Sequence, residues 1–261
     1  MKLPINRGYL LGAWLEVKQR KWFSADFFLS YATIFLQSCL YFLVFQAVFL
    51  HSAKVDSKEV TIYYIVISIV AQTVSSGLYV AYNHMEAINS GGIIPYLLRP
   101  QSYPVAQYLG RLVQTVSHLL VNTALIFLVS VLFGRVMRLG SVCLGVLSTL
   151  LGFTILYLIQ AVIGCCALWF RDITRFRDVV YTLLMMLGGR LIPSGMLFGG
   201  LKQAVYFTPL PYVYDVPVRV FLNQGASLRF LGVQLLWILL LGGAYWYLFH
   251  CHVRQNIEFG G

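Results

Sequence analysis

The chain has 261 residues, of which 59% are hydrophobic and 11% charged, and its formal net charge is +10. Soluble proteins carry about 25% charged residues, so this composition excludes a water-soluble catalytic domain. The basic residues stand between apolar runs, which is how loop charges orient a membrane protein and does not indicate nucleic-acid binding. We therefore predict an all-α integral membrane protein with one transmembrane domain over residues 1–261.

The first predicted element is an amphipathic helix over residues 8–24. Leucines and tryptophans share one helical face, while Glu16 and the basic residues from Lys18 to Lys21 take the other. This pattern is typical of a helix lying in the membrane interface, with its apolar side in the headgroups. A soluble amphipathic helix remains the alternative.

Six apolar runs then exceed the roughly 18 residues needed to cross a bilayer. They are Phe27–Leu50, Val60–Tyr82, Val105–Phe133, Val142–Phe170, Val179–Leu201 and Phe230–Val253. An even number of spans puts both termini on one side, and a cytoplasmic N-terminus places more Lys and Arg inside than outside. We predict a six-span bundle over residues 27–253 in the inner (plasma) membrane, with both termini cytoplasmic.

Two cytoplasmic connections follow from this topology, over residues 84–104 and 171–178. The first holds Glu86, breaks at Gly91 and Gly92, and ends at Leu98 and Arg99. It has more apolar side chains than a simple hairpin needs, which favours docking on a partner; a loop on the lipid surface is the alternative.

Polar side chains inside the spans predict protein contacts or a wet cavity, because facing lipid is costly for them. In the third span they recur at steps of about one helical turn and therefore share one face. They are Gln107, Arg111, Gln114, His118 and Asn122. Helix packing and a substrate path both remain open for this stripe. Arg190, in the fifth predicted span, indicates a functional site, and snorkelling to the outer interface is its alternative.

The segment after the fifth span combines glycines, prolines and aromatic residues. Such backbone is tolerated at membrane depth only when it is buried in protein or lines a wet cavity. We predict that Leu201–Asn223 folds back into the outer leaflet as a re-entrant segment; an exposed outer loop is the alternative. Asp215 and Arg219, four residues apart, could pair if a short helix begins there.

No phosphate-binding loop, zinc-protease, serine-hydrolase or calcium-loop motif occurs in the sequence. The five cysteines form no CxxC motif. The sequence therefore predicts no catalytic or metal-binding residue and no cofactor in this chain. If this membrane protein moves a solute against a gradient, the energy must come from a partner.

The order of these elements resembles the permease subunits of type 2 ABC exporters. The similarity rests on Glu86-x4-Gly91, Leu98-Arg99-Pro100 and Phe170-Arg171-Asp172-Ile173 inside, and on Ser194–Phe198 followed by Leu210-Pro211-Tyr212 outside. The similarity covers nearly the full length and is closest to the small permeases that work in pairs. One departure is Gly199-Gly200, where the family often has a proline. This difference affects the shape expected for the re-entrant outer segment.

The resemblance implies an exporter subunit that is not itself an enzyme and moves an amphiphilic or small-molecule substrate, of multidrug or lipid type, outward. It implies a separate ABC ATPase that binds ATP and Mg, and a second permease. The implied coupling residues are Glu86, Gly91, Gly92, Leu98, Arg99, Arg171, Asp172 and Arg175. The implied path residues are Gln107, Arg111, Gln114, His118 and Arg190. The implied outer gate residues are Phe198, Tyr206, Phe207, Pro209, Pro211 and Tyr212. A passive channel without an ATPase is the alternative function.

Overall fold

The computed structural model describes residues 29, 31–33, 35–37, 39–40, 43, 57–97, 102–134, 137–170, 172–194, 197, 199–224 and 227–253. These residues form helices and no strand. In chain order the helices are α1 Ser57–Val74, α2 Val80–Asn89, α3 Ile94–Leu97, α4 Tyr103–Leu132, α5 Leu139–Cys165, α6 Thr174–Leu187, α7 Gly199–Tyr206, α8 Asp215–Phe221 and α9 Ser227–Leu248. The predicted interfacial helix over residues 8–24 lies outside the described residues, and Phe27–Leu50 is described only at isolated positions.

Four helices in the described part of the chain are long and apolar enough to cross a membrane. They are Lys58–Asn89, Tyr103–Leu132, Leu139–Leu168 and Leu228–Val253. The first continues from α1 through a 3-10 turn, Ser75–Tyr79, into α2. It is longer than the predicted span Val60–Tyr82, so Glu86 lies on a helix instead of in a loop. The other three match the predicted third, fourth and sixth spans.

The fifth predicted span, Val179–Leu201, is not one continuous helix. Helix α6 has 14 residues and ends at Leu187. The chain then turns at Gly188 and Gly189, and Gly189 has a φ of 89° that side chains rarely adopt. A helix of this length rises about 21 Å, less than the hydrocarbon thickness of about 30 Å. The interruption by Gly189 and Pro193 is the physical reason for the shorter helix.

Contacts between the long helices set their directions. Ser148 of α5 contacts Gln234 of α9, and Tyr157 contacts Tyr245 further along both helices, so α5 and α9 are parallel. Gly77 packs near Leu156 and His84 near Gly164, so α1–α2 is parallel to α5 as well. Helix α4 is antiparallel to α1, because Thr115 bonds Ser76 whereas Asn122 bonds Thr73. Between α5 and α9 the chain must therefore run back once in the opposite direction, and α6 covers most of that distance.

These directions define two ends of the bundle. The Tyr63 end holds the starts of α1, α5 and α9 and the end of α4. The His84 end holds α2, the start of α4 and the ends of α5 and α9. Helix α5 lies at the centre, in contact with α1, α2, α4, α8 and α9.

Candidate functional site

A buried carboxylate organises the Tyr63 end of the protein. Asp215 is fully buried, and its two oxygens accept hydrogen bonds from four side chains. The donors are Tyr63 Oη at 2.5 Å, Ser194 Oγ at 2.5 Å, Arg219 Nε at 2.7 Å and Tyr206 Oη at 3.1 Å. We call these five residues the Asp215 cluster. Burying a charge is costly unless it is paired and hydrogen-bonded, and here both conditions are met.

Local sequence explains how the Asp215 cluster assembles. Asp215 is the first residue of α8, where its charge suits the positive end of the helix, and Arg219 follows one turn later. The expected pairing of these two residues is confirmed by a salt bridge of 2.7 Å. The α6–α7 connection approaches Asp215 so closely that glycine is required at position 189, since a Cβ there would lie 2.7 Å from the Asp215 Cβ. The backbone N–H of Asp215 also donates to the Gly188 carbonyl.

The segment Leu201–Asn223, called the return segment below, packs against the middle of α5. Pro211 to Val218 are buried throughout. A Cβ at Gly152 of α5 would lie 2.8 Å from the Val213 carbonyl oxygen and 3.1 Å from that of Tyr212. The Tyr212 carbonyl also accepts a hydrogen bond from Gln234 of α9. The return segment is thus held by protein contacts along its buried half.

The six predicted outer gate residues separate into different environments. Pro211 and Tyr212 are buried, Tyr206 belongs to the Asp215 cluster, and Pro209 is half-buried. Phe207 is 83% exposed and contributes nothing to this packing. Phe198 lies outside the described residues.

The predicted polar stripe of α4 lies on one side of the helix but faces two kinds of surroundings. Asn122 is buried, donates to Thr73 Oγ1 at 2.8 Å and accepts from Tyr31 Oη at 2.9 Å. Asn122 thus joins α4 to α1 and to the first predicted span, which favours helix packing as the role of this residue. Toward the His84 end, Arg111 donates to Gln114 Oε1 at 3.2 Å, and both are half-buried. Gln107 and His118 are also half-buried, so the part of the stripe from Gln107 to His118 remains a candidate path.

Arg190 lies in the turn after α6 and not inside a continuous span. Its Nη2 donates to Gln37 Oε1 at 2.7 Å and its Nη1 to Met185 Sδ at 3.4 Å. The neighbouring Leu191 carbonyl accepts from Tyr64 of α1. Arg190 therefore links the turn to the first predicted span and adjoins the Asp215 cluster.

The two predicted coupling connections meet at the His84 end. Helix α2, which carries Glu86, packs on the 3-10 turn Cys166–Leu168 just before Asp172. Gly91 has a φ of 72° in the turn that follows α2, and Gly92 is exposed beside it. Arg175 is exposed on α6. Leu98, Arg99 and Arg171 lie outside the described residues.

Asp172 lies just before the N-cap residue of α6, Ile173, and bonds the first residue of the helix. Its Oδ1 accepts a hydrogen bond from the Thr174 backbone N–H at 2.8 Å. Hydrogen bonds from the Thr174 hydroxyl and N–H, with a smaller effect of Arg175, lower the pKa of the Asp172 carboxyl. Its stabilising effect is therefore complete above the unfolded pKa and is lost as the pH falls through the folded one.

Replacement of Asp172 separates its backbone hydrogen bond from charge recognition. We expect Asp172→Asn to keep the bond to the Thr174 N–H, since the asparagine side-chain oxygen also accepts it, whereas Asp172→Ala loses the bond and weakens the start of α6. Thermal stability and helix content of the two variants measure this. A matched loss in both variants would show that the charge itself is required.

Sequence reasoning missed His84 and the aromatic cluster around it. His84 is buried; its Nδ1 lies 3.0 Å from the Val80 carbonyl and its Nε2 2.8 Å from Tyr245 Oη. A Cβ at Gly164 would lie 2.5 Å from the His84 Cβ, so α2 and α5 are in close contact here. The available signal was a lone histidine just after the second apolar run.

A family model described as an ABC-2 family transporter protein matches residues 35–255. The chain belongs to this family. The match covers every helix described above, and no match was found among curated proteins. An ABC-2 permease is the membrane component of a transporter and not itself an enzyme, and the family implies an ABC ATPase partner. In this ABC-2 permease the Asp215 cluster and the His84 end lie at opposite ends of the bundle.

Proposed function

We propose that this permease is the transmembrane subunit of an ATP-driven exporter that moves an amphiphilic small molecule outward. A separate ATPase supplies the energy, and a second permease, identical or related, completes the path. The observation that carries the proposal is the family match over the helical bundle, together with the absence of a nucleotide-binding motif from the sequence.

The His84 end is the proposed docking site for the ATPase. Its surface presents exposed large apolar side chains beside the charged residues Glu86, Asp172 and Arg175. These apolar side chains are Ile94, Trp169, Phe170 and Phe176. Apolar anchors with a polar rim are typical of protein interfaces, which supports a coupling role for this end.

The return segment is the proposed outer gate. Its buried half reaches the middle of α5 and is fastened to α1 through Tyr63 and to α9 through Gln234. Movement of α1 or α9 would therefore be transmitted to the return segment. With a cytoplasmic N-terminus the Tyr63 end faces outward, which places this segment at the exit.

Transport by membrane vesicles tests the proposal. Inside-out vesicles containing this chain, its ATPase and the second permease should accumulate a fluorescent amphiphilic cation only when ATP is hydrolysed. An ATPase variant that binds but does not hydrolyse ATP is the control. Equal flux without ATP would support a passive channel instead.

Thiol labelling checks the topology. In a cysteine-free background, we expect a membrane-impermeant reagent added to intact cells to label Ser57→Cys and not Ser90→Cys. Ser57 begins α1 and the exposed Ser90 follows α2, so they mark opposite ends of one long helix. Labelling of Ser90→Cys alone would reverse the orientation.

Replacement of Glu86 tests coupling. Glu86 is exposed on α2, so we expect Glu86→Ala to leave membrane insertion and thermal stability unchanged. Loss of one interface charge should lower transport-linked ATP hydrolysis several-fold. Asn89→Ala, at an exposed position three residues along the same helix, is the control. Normal assembly and hydrolysis in Glu86→Ala would leave this end without a coupling role.

A further inference from the structure

An apolar groove runs between α4 and α5 at the Tyr63 end. Its volume is about 500 Å³, within the size range of ligand sites in proteins. Its walls are Leu119, Thr123 and Phe127 of α4, and Leu139, Val142 and Val146 of α5. The only polar side chain among its lining residues is that of Thr123. The groove therefore suits a hydrocarbon chain and not a polar solute.

The length of the groove matches most of one lipid tail. Its lining residues on α4 run from Leu119 to Phe127, eight residues apart, which corresponds to about 12 Å along the helix. A tail in one leaflet spans half of the hydrocarbon core, about 15 Å. The side chains at the rim are strongly exposed, 71% for Leu120 and 80% for Leu139, so the groove opens sideways from the protein.

The mouth of the groove is positively charged. Arg138 is exposed, and its two neighbours in sequence, Met137 and Leu139, both line the groove. It occupies the N-cap position of α5, makes no side-chain capping bond there, and the first turn contains no acid. A helix N-terminus favours an anion, so a cation at this position has the unfavourable sign. The sequence from Ala87 to Arg171 contains no Asp or Glu.

We propose that this groove binds one acyl chain of an anionic glycerophospholipid, with the phosphate at the start of α5 beside Arg138. The tail fills the apolar walls, and the phosphate meets both the guanidinium and the helix N-terminus. A second copy of the chain is the competing occupant, but a second copy would bring another Arg138 to a mouth that is already basic. The site does not depend on the direction of transport.

Lipid retention by the purified full chain tests the proposal. We expect native mass spectrometry to show palmitoyl-oleoyl phosphatidylglycerol bound about fivefold more tightly than the corresponding phosphatidylcholine, the effect of one arginine near a headgroup. Arg138→Gln should abolish this preference while leaving the fold intact, because the side chain is exposed. Ala124→Trp, which fills the groove from α4, should weaken retention of both lipids.

Arg229→Gln is the matched control, since Arg229 is exposed in the first turn of α9 at the same end and lines no part of the groove. It should keep the preference for phosphatidylglycerol. Equal binding of the two lipids by the unmodified chain, or an unchanged preference in Arg138→Gln, would overturn the proposal. If two copies carrying Ala124→Cys formed a disulfide and no lipid were released, the groove would be an interface between copies. That result would also overturn the lipid proposal.

Discussion

Replacing Asp215 with alanine should lower the free energy of unfolding by about 3–5 kcal/mol, because it leaves the largely buried guanidinium of Arg219 without its partner. Arg219 is 19% exposed in its side chain and would lose its 2.7 Å ion pair. Tyr63 and Ser194 would lose their acceptor at the same time. Thermal unfolding of the purified chain in detergent, followed by circular dichroism, measures the loss.

The chain contains a matched control for this replacement. Arg177 and Asp178 form an ion pair of the same length, 2.7 Å, but Asp178 is 57% exposed. Solvent screens an exposed pair, so Asp178→Ala should cost at most about 1 kcal/mol. Equal shifts for Asp178→Ala and Asp215→Ala would contradict a structural role for the Asp215 cluster.

The Asp215 replacement also bears on the proposed gate. Tyr63 belongs to α1 and Arg219 to the return segment, so the carboxylate joins the two. Tyr63→Phe removes one donor and keeps the ion pair, so we expect this replacement itself to cost about 1–3 kcal/mol, which is less than the cost of Asp215→Ala. If the gate proposal holds, thiol labelling at Thr208→Cys should rise in Asp215→Ala and change little in Tyr63→Phe.

Gly152→Leu is the second replacement with a large expected effect. Even a Cβ at this position would lie 2.8 Å from the Val213 carbonyl oxygen and 3.4 Å from Pro217 Cγ, so leucine must displace the return segment from α5. Overpacking of this kind costs about 1–3 kcal/mol or more, and the Gln234 bond to the Tyr212 carbonyl would be strained with it. Proteolysis along Tyr206–Tyr214 should accelerate in parallel with a lower thermal midpoint.

Gly140→Leu, on the same helix, controls for the change in helix propensity. A Cβ at Gly140 meets nothing within 4 Å, so this variant should be neutral or slightly more stable. If Gly152→Leu behaved like Gly140→Leu, the contact between the return segment and α5 would not hold the segment in place. The rate of protease cleavage, measured for both variants under conditions of equal thermal stability, distinguishes these two outcomes.

The long spans could be predicted from the sequence because their signal is local. A run of about 20 apolar residues is needed to cross a bilayer, and that length is read directly from the chain. The predicted runs Val105–Phe133 and Phe230–Val253 therefore agree closely with Tyr103–Leu132 and Leu228–Val253. The run Val179–Leu201 gave the wrong helix length, because apolar composition does not reveal the left-handed turn at Gly189.

The candidate sites were less predictable because their partners are remote in sequence. The pairing of Asp215 with Arg219 was visible, since four residues make one helical turn. The bond from Tyr63 to Asp215 joins residues 152 apart, and that between His84 and Tyr245 joins residues 161 apart. Neither pair has a local spacing that sequence reasoning could use. The sequence showed that the polar stripe on α4 shares one helical face. Only the hydrogen bond to Thr73 in the packed bundle showed that Asn122 packs against α1.

By itself, the sequence determined that this is a helical membrane protein with no nucleotide-binding motif, where its main spans lie, and that its proline-rich segment needs protein contacts. Those properties follow from composition and from the hydrogen-bonding demands of backbone in lipid. Only the tertiary structure decided that α5 is central and that the return segment rests on Gly152. It also decided that Asp215 collects donors from both α1 and the return segment. Helix pairing depends on close contact at small residues, and which faces meet is a property of the packed bundle.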